Sequence, residues 1–150
     1  MHLGGFAETM SLRSWLHALT APSPVGTHLA DTTAEIKLVC IVNHGLKMSK
    51  GKLAAQVGHA SVIAALKSIE TNPAVFEAWR RQGQRKVVVK AVDSEQIDAL
   101  LTKAKEAGIQ VGRVHDAGRT QIPAGSLTVG IIGPAEEVEI DPLTQHLKLL

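Results

Sequence analysis

The sequence predicts an α/β domain in which helices cover both faces of a mostly parallel or mixed sheet. Three observations carry that expectation. Short β-branched runs recur at Ile36–Val42, Val87–Val89, Ile109–Val114 and Leu127–Ile132. Stretches of helical period separate most of them. The chain of 150 residues, 45% hydrophobic and 20% charged, has the size and composition of one folded domain.

Taken in order, residues 1–34 differ from the rest. Gly4-Gly5, Pro22, Pro24 and Gly26 punctuate them, and Leu12, Trp15, Leu16 and Leu19 follow Ser11 at the spacing of one short amphipathic helix. The segment reads as a mobile extension ahead of a folded unit over residues 35–150, with Met10 as an alternative start. The folded unit opens with a buried strand, Ile36–Val42, and turns at Asn43-His44-Gly45. A helix from about Ser49 to Ile69 takes Leu53, Val57, Ala60, Ala64 and Leu66 as its apolar residues. Pro73 starts a second helix through Phe76 and Trp79 that ends near Gly83. Arg85–Val92 is the second strand. Ser94 is the expected cap of a third helix, whose inward residues are Ile97, Leu100, Leu101 and Ala104, and Gly108 stops it. Ile109–Val114 and Leu127–Ile132 form the third and fourth strands, joined by the polar loop His115–Gly125. Gly133-Pro134 is expected to close the last strand. Leu143–Leu149 reads as a final helical turn or two, which gives the order β-α-α-β-α-β-β-α.

Composition excludes several classes. A single cysteine, Cys40, rules out an internal disulfide framework and a Cys-based zinc ribbon, and a reducing compartment is the expectation. Four aromatic residues and no Tyr argue against modules that stack bases on aromatic platforms. No apolar run reaches the roughly 18 residues of a membrane span. Residues 1–34 carry one Arg and two acids, a poor match to an Arg-rich transit peptide, and Arg13 and His17 break the apolar stretch a secretory signal would need. The cytoplasm is the expected compartment, with organellar targeting by residues 1–34 kept open. Residues 44–92 hold nine Lys/Arg against two acids, which is either a solvated face or a surface that meets phosphates.

Two constellations carry chemistry. Lys47-Met48-Ser49-Lys50-Gly51-Lys52 leads from the first strand into a helix N-terminus, where lysines oppose the helix dipole unless something negative binds. It is not a P-loop: Gly45 and Gly51 are six apart, and Leu53 stands where the magnesium-binding hydroxyl belongs. Lys52, Gln56 and His59 continue as one stripe at i, i+4 and i+7. The second constellation, Asp116-Ala117-Gly118-Arg119-Thr120-Gln121, leaves a strand end, where α/β folds bind ligands. Read alone, each could be a solvated stripe or a tight turn. No G-x-S-x-G elbow exists, Cys40 falls within a strand, and the seven histidines show no metal-ligand spacing. No metal and no cofactor are expected.

Leu46-Lys47-Met48-Ser49-Lys50-Gly51-Lys52-Leu53-Ala54-Ala55-Gln56 with Gly58-His59-Ala60 resembles the signature of the type II, archaeal and eukaryotic, peptidyl-tRNA hydrolases. Asp116-Ala117-Gly118-Arg119-Thr120-Gln121-Ile122 resembles its second motif. Trp79 with Gln84-Arg85-Lys86-Val87-Val88, and the ending Ile140-Asp141 with Leu147-Lys148-Leu149-Leu150, are similar to that family as well. The resemblance covers about residues 36–150. It implies a three-layer α/β/α fold around a mixed four-stranded sheet, and hydrolysis of the ester joining a peptide to tRNA. By motif position it implies catalytic roles for Lys52, Asp116, Thr120 and Thr128. Gln56 and His59 match further polar positions near the site. Lys47, Lys50, Arg85, Lys86, Arg119 and Gln121 are the remaining candidates for substrate and tRNA contacts, and a homodimer is the candidate assembly. Asn43-His44-Gly45 and Pro123-Ala124 depart from the usual family pattern.

A hydrolase of this kind needs an activated water and a group that stabilises an oxyanion. Asp116 and Lys52 are suited to these, and no Ser or Cys nucleophile is required. The rivals are a catalytically silent adaptor that binds RNA or protein on the same fold, and a nucleotide-binding enzyme. Retained Lys52, Asp116, Thr120 and Thr128 argue against the adaptor.

Overall fold

The computed structural model describes residues 33–119 and 122–150. The extension and its amphipathic helix, apart from its last two residues, lie outside the described residues, as do Thr120 and Gln121. The elements are β1 (Ile36–Asn43), a 3-10 turn (His44–Leu46), α1 (Lys50–Thr71), α2 (Pro73–Arg81), β2 (Lys86–Ala91), α3 (Ser94–Glu106), β3 (Val111–His115), β4 (Leu127–Glu136) and α4 (Glu137–Thr144).

The four strands form one sheet in the order β2-β1-β4-β3. β1 and β2 are parallel, because α1 and α2 carry the chain across one face between them. β4 runs antiparallel to both β1 and β3, so the sheet is mixed rather than mostly parallel. All eight residues of β1 are buried, as expected for a central strand covered on both faces. Its side chains alternate between two cores. Ile36, Leu38, Cys40 and Val42 meet Ala60, Ala64 and Trp79 of the α1–α2 layer. Val39 and Ile41 meet Ile97, Leu101 and Ile140 of the α3–α4 layer. At Gly130 the α3 layer comes so close that a methyl group would lie 2.4 Å from Ile97 Cγ2, which explains the glycine inside a strand.

Several boundaries differ from the sequence expectation. Asp93, not Ser94, caps α3 by accepting from the Gln96 amide at 2.8 Å, and Ser94 is the first helical residue. β4 continues through Gly133-Pro134 to Glu136 instead of stopping there. The last helix lies earlier than expected, at Glu137–Thr144. Beyond it the chain bridges Leu149 to Val89 on the outer edge of β2, where a helical turn was expected. The buried stripe of α1 is Gln56, Ala60, Ala64 and Ser68, while Leu66 is exposed. A helix whose inward residues are small lies close to the sheet and leaves its larger apolar residues outside.

The sheet has two ends with different chemistry. Where β1 and β2 begin, Lys37 is buried and ion-paired with Glu137 at 3.1 Å and Asp141 at 2.5 Å. Arg85 joins the same group through Glu35 and Glu137. Where β1 ends, the polar residues belong to the site.

Candidate active site

Four strand and helix termini converge at the end of β1. Ser49 caps α1 by accepting from the Lys52 amide at 3.4 Å, which fixes Lys52 in the first turn. Across from it, β3 ends at His115 and hands the chain to Asp116. The Asp116 amide donates to Ser126 O at 2.9 Å, and the Gly125 amide donates back to Asp116 O at 3.1 Å. These two bonds clamp the neck of the loop, so the position of the carboxylate is set by the sheet.

Lys52 Nζ lies 2.5 Å from Asp116 Oδ1, an ion pair between residues 64 positions apart. The second carboxylate oxygen, Oδ2, accepts from the Gly118 amide at 3.1 Å. The side chains are 14% and 3% exposed, so the pair is almost withdrawn from solvent, where charge–charge attraction exceeds its value in water. It borders a cavity of about 330 Å³, also lined by Gln56, His59, His115 and Arg119. Thus five expected site residues, Lys52, Gln56, His59, Asp116 and Arg119, meet at one opening.

Thr128 lies one layer deeper. It is fully buried and does not border the cavity. Its hydroxyl is 2.5 Å from Gln56 Oε1 and 3.0 Å from Val114 O, and its single proton serves one acceptor at a time. Thr128 therefore reaches the cavity through Gln56 rather than directly. The pairing explains its place: Val114 faces Val129 and His115 faces Leu127, so Thr128 is the extra residue of a bulge. His115, expected in the loop, ends β3 and also lines the cavity, with its Nδ1 3.1 Å from Gly125 O. Sequence reasoning missed it because a lone histidine at a strand end carries no motif.

Arg85 and Lys86 are not brought to the site. Lys86 pairs in register with Leu38, near the start of β1 and remote from its end at Asn43. Arg85 is engaged with Glu35 and Glu137. Lys86 Nζ donates to Gln84 O at 2.8 Å and lies 5.0 Å from the Trp79 ring centroid. Burial holds its ammonium below the usual lysine range. Both cations are thus committed to the fold. Lys47 and Lys50 are exposed near the site, on the segment that leads into α1.

Comparison with known proteins covers the stretch of chain that holds the site. The family model described as "Peptidyl-tRNA hydrolase PTH2" matches residues 36–150. A "Peptidyl-tRNA hydrolase" of Thermococcus onnurineus (strain NA1) is 45% identical over 114 residues, 76% of this chain and 97% of that protein. A "Peptidyl-tRNA hydrolase 2, mitochondrial" of Bos taurus is 49% identical over 117 residues, 78% of this chain and 65% of that protein. Its Mus musculus namesake is 48% identical over 150 residues, 99% of this chain and 80% of that protein.

Proposed function

The chain belongs to the PTH2 family of peptidyl-tRNA hydrolases, and on that premise we propose that it hydrolyses the ester bond of peptidyl-tRNA, releasing peptide and free tRNA, with Lys52 and Asp116 as the reacting couple. The observation that carries this reading is the 2.5 Å Lys52–Asp116 pair at the border of a cavity open to substrate.

The chemistry divides between the two groups. The Asp116 carboxylate orients a water and takes its proton as the water attacks the ester carbonyl. The Lys52 ammonium faces the oxygen on which negative charge then develops, and stabilises it more than the neutral carbonyl. When the tetrahedral intermediate collapses, the bond to the tRNA ribose oxygen breaks and that oxygen takes the proton held by Asp116, which restores the carboxylate. With Oε1 of Gln56 engaged by Thr128, the amide N–H₂ of Gln56 is the donor left for the cavity. His59, His115 and Arg119 line the route that the substrate occupies. Thr120 and Gln121 keep the roles expected from their motif, a hydroxyl near the reacting water and an RNA contact.

On this reading residues 35–150 are the hydrolase unit and residues 1–34 an extension outside it. tRNA is the partner, held chiefly through phosphates by Lys47, Lys50 and Arg119. No helix among the described residues is long and apolar enough to cross a membrane. The Bos taurus and Mus musculus relatives are called mitochondrial, and we place this chain in the cytoplasm, which imaging of the tagged full chain tests. The homodimer is supported by the exposed Val62, Leu66 and Ile69 along α1, and sedimentation of Leu66→Glu tests it.

The deciding experiment monitors release of free tRNA from a purified N-blocked aminoacyl-tRNA. Wild type turns over, and Lys52→Ala and Asp116→Ala, shown to be folded, do not. A folded wild type that binds tRNA and leaves the ester intact would overturn the hydrolase reading in favour of an adaptor.

A further inference from the structure

A second cavity, of about 520 Å³, opens at the same end of the sheet, on the β2 side of β1. Among the described residues His44, Lys47, Lys90, His146 and Lys148 line it, and no carboxylate does. These five come from three separate stretches of chain. His44 and Lys47 belong to the turn after β1, Lys90 to the end of β2, and His146 and Lys148 to the segment after α4. None of the three lysines is engaged in an ion pair among the described residues, whereas Lys37, Lys52 and Arg85 all are. Like charges repel, so gathering three unpaired ammonium groups around one cavity opposes folding unless the cavity meets an anion.

The gathering is built by specific contacts. The Lys90 amide donates to Lys148 O at 3.0 Å, and the Leu150 amide donates to Val88 O at 3.1 Å. The last residues of the chain are thereby pinned along the edge of β2, which fixes Lys148 beside Lys90. On the opposite wall, the turn after β1 lies against the end of β2. A Cβ on Gly45 would fall 2.5 Å from Val92 O, so only glycine permits that approach. Lys47, which ends the turn, takes the left-handed conformation at φ 49°, costly for a side-chain-bearing residue. Ala91 and Leu147 supply an apolar floor.

We infer that this cavity is a phosphate subsite for the tRNA substrate, taking one phosphate on Lys47, Lys90 and Lys148 with its nucleoside against the apolar floor. The inference rests on the hydrolase reading for its partner. Its position fits a substrate that bridges both cavities: the short segment Lys47–Ser49 leads from this one directly to the helix start that presents Lys52. The phosphate is either the terminal 5′ group or an internal one of the acceptor arm, and the two sources share the same recognition chemistry.

The test uses Lys90→Gln/Lys148→Gln in the full chain, with Lys148→Gln alone as the variant that spares the strand. Binding of deacylated tRNA is followed by fluorescence anisotropy across a salt series. The double variant is expected to weaken Kd at least fivefold and to reduce the slope of log K against log salt by about one. In hydrolysis of N-blocked aminoacyl-tRNA, KM rises at least fivefold while kcat stays within twofold. Repeating the comparison on 5′-dephosphorylated tRNA separates the sources. A lysine effect that disappears assigns the terminal phosphate, and one that persists assigns an internal phosphate. Unchanged Kd and unchanged salt slope in a folded double variant, or in folded Lys148→Gln should the double variant not fold, would overturn the subsite. Should wild type bind tRNA without hydrolysing it, the hydrolase reading falls, and the binding series still decides the subsite.

Discussion

Lys37 of β1 and Lys52 in the first turn of α1 are each withdrawn from solvent and each 2.5 Å from a carboxylate oxygen. Lys37 sits near the start of β1 between Glu137 and Asp141, with Arg85 close by, and lines neither the active-site cavity nor the lysine-rich one. Lys52 sits at the other end, held by Asp116 from a clamped loop, and borders an open cavity. The same ion-pair chemistry stands at both ends of the sheet. What separates the two is their surroundings: Glu137 and Asp141 face solvent at 30% and 41% exposure, whereas Asp116 is 3% exposed and borders a cavity with Gln56, His59, His115 and Arg119.

Asp116→Asn is expected to break the contrast most severely. On the proposed mechanism it removes the proton acceptor with little change of shape, so kcat should fall about 10³-fold, roughly 4 kcal/mol of transition-state stabilisation. Lys37→Met should leave kcat within twofold and act on stability alone. Turnover assays and thermal melts on both variants check this. Comparable activity losses in the two would erase the distinction between the ends.

A smaller effect is expected at Thr128→Val, which keeps the volume and removes the hydroxyl that engages Gln56. Loss of a buried hydrogen bond costs about 1–3 kcal/mol. With Gln56 free to reorient, kcat should drop about tenfold with KM nearly unchanged, and Thr128→Ser should restore it. A purely structural threonine would lower the melting temperature without that split.

Acid should weaken the Lys37 end. Burial pushes the Glu137 carboxyl up, but Lys37 and Arg85 together pull it below its ordinary 4.5. The unfolded chain therefore binds a proton at pH values where the folded chain does not. This contribution is present above about pH 4.5 and is lost as pH falls through the lower folded value. Urea titrations at several pH values should show Glu137→Gln less stable than wild type at pH 7 and less sensitive to pH below 4.5. The smallest effect belongs to Cys40, whose thiol burial pushes up to about 12. At pH 8 a thiol reagent should leave the native chain unmodified, and labelling should track unfolding. Rapid labelling of native protein would show the β1 core to be open.

The order of elements and both cores were legible in the sequence, because β-branched runs and helical spacing report local burial directly. The stripe Lys52-Gln56-His59 was legible for the same reason. The Lys52–Asp116 contact was not, since a pairing across 64 positions is made by sheet order and not by any local pattern. Residue-by-residue likeness to a known motif supplied both members without the distance between them. Arg85 and Lys86 illustrate the converse. They add to the basic count of residues 44–92, yet parallel pairing of β2 with β1 carries them to the Lys37 end. The buried place of Thr128 follows from a one-residue bulge, which alternation cannot anticipate.

The two hydrogen bonds between Asp116 and the Gly125-Ser126 pair hold the two ends of the loop 117–125 together at the edge of the sheet. Because the neck is tied to the sheet, modest insertions after Gln121 lengthen the loop while the Gly118 amide keeps its hold on Asp116 Oδ2. Lengthening a loop whose ends are already fixed costs little: each doubling adds about 0.6 kcal/mol of closure entropy. Loop length can thus be varied apart from the Lys52–Asp116 pair, and directed evolution of this enzyme would do well to extend the loop after Gln121 and leave the neck and residues 118–121 alone.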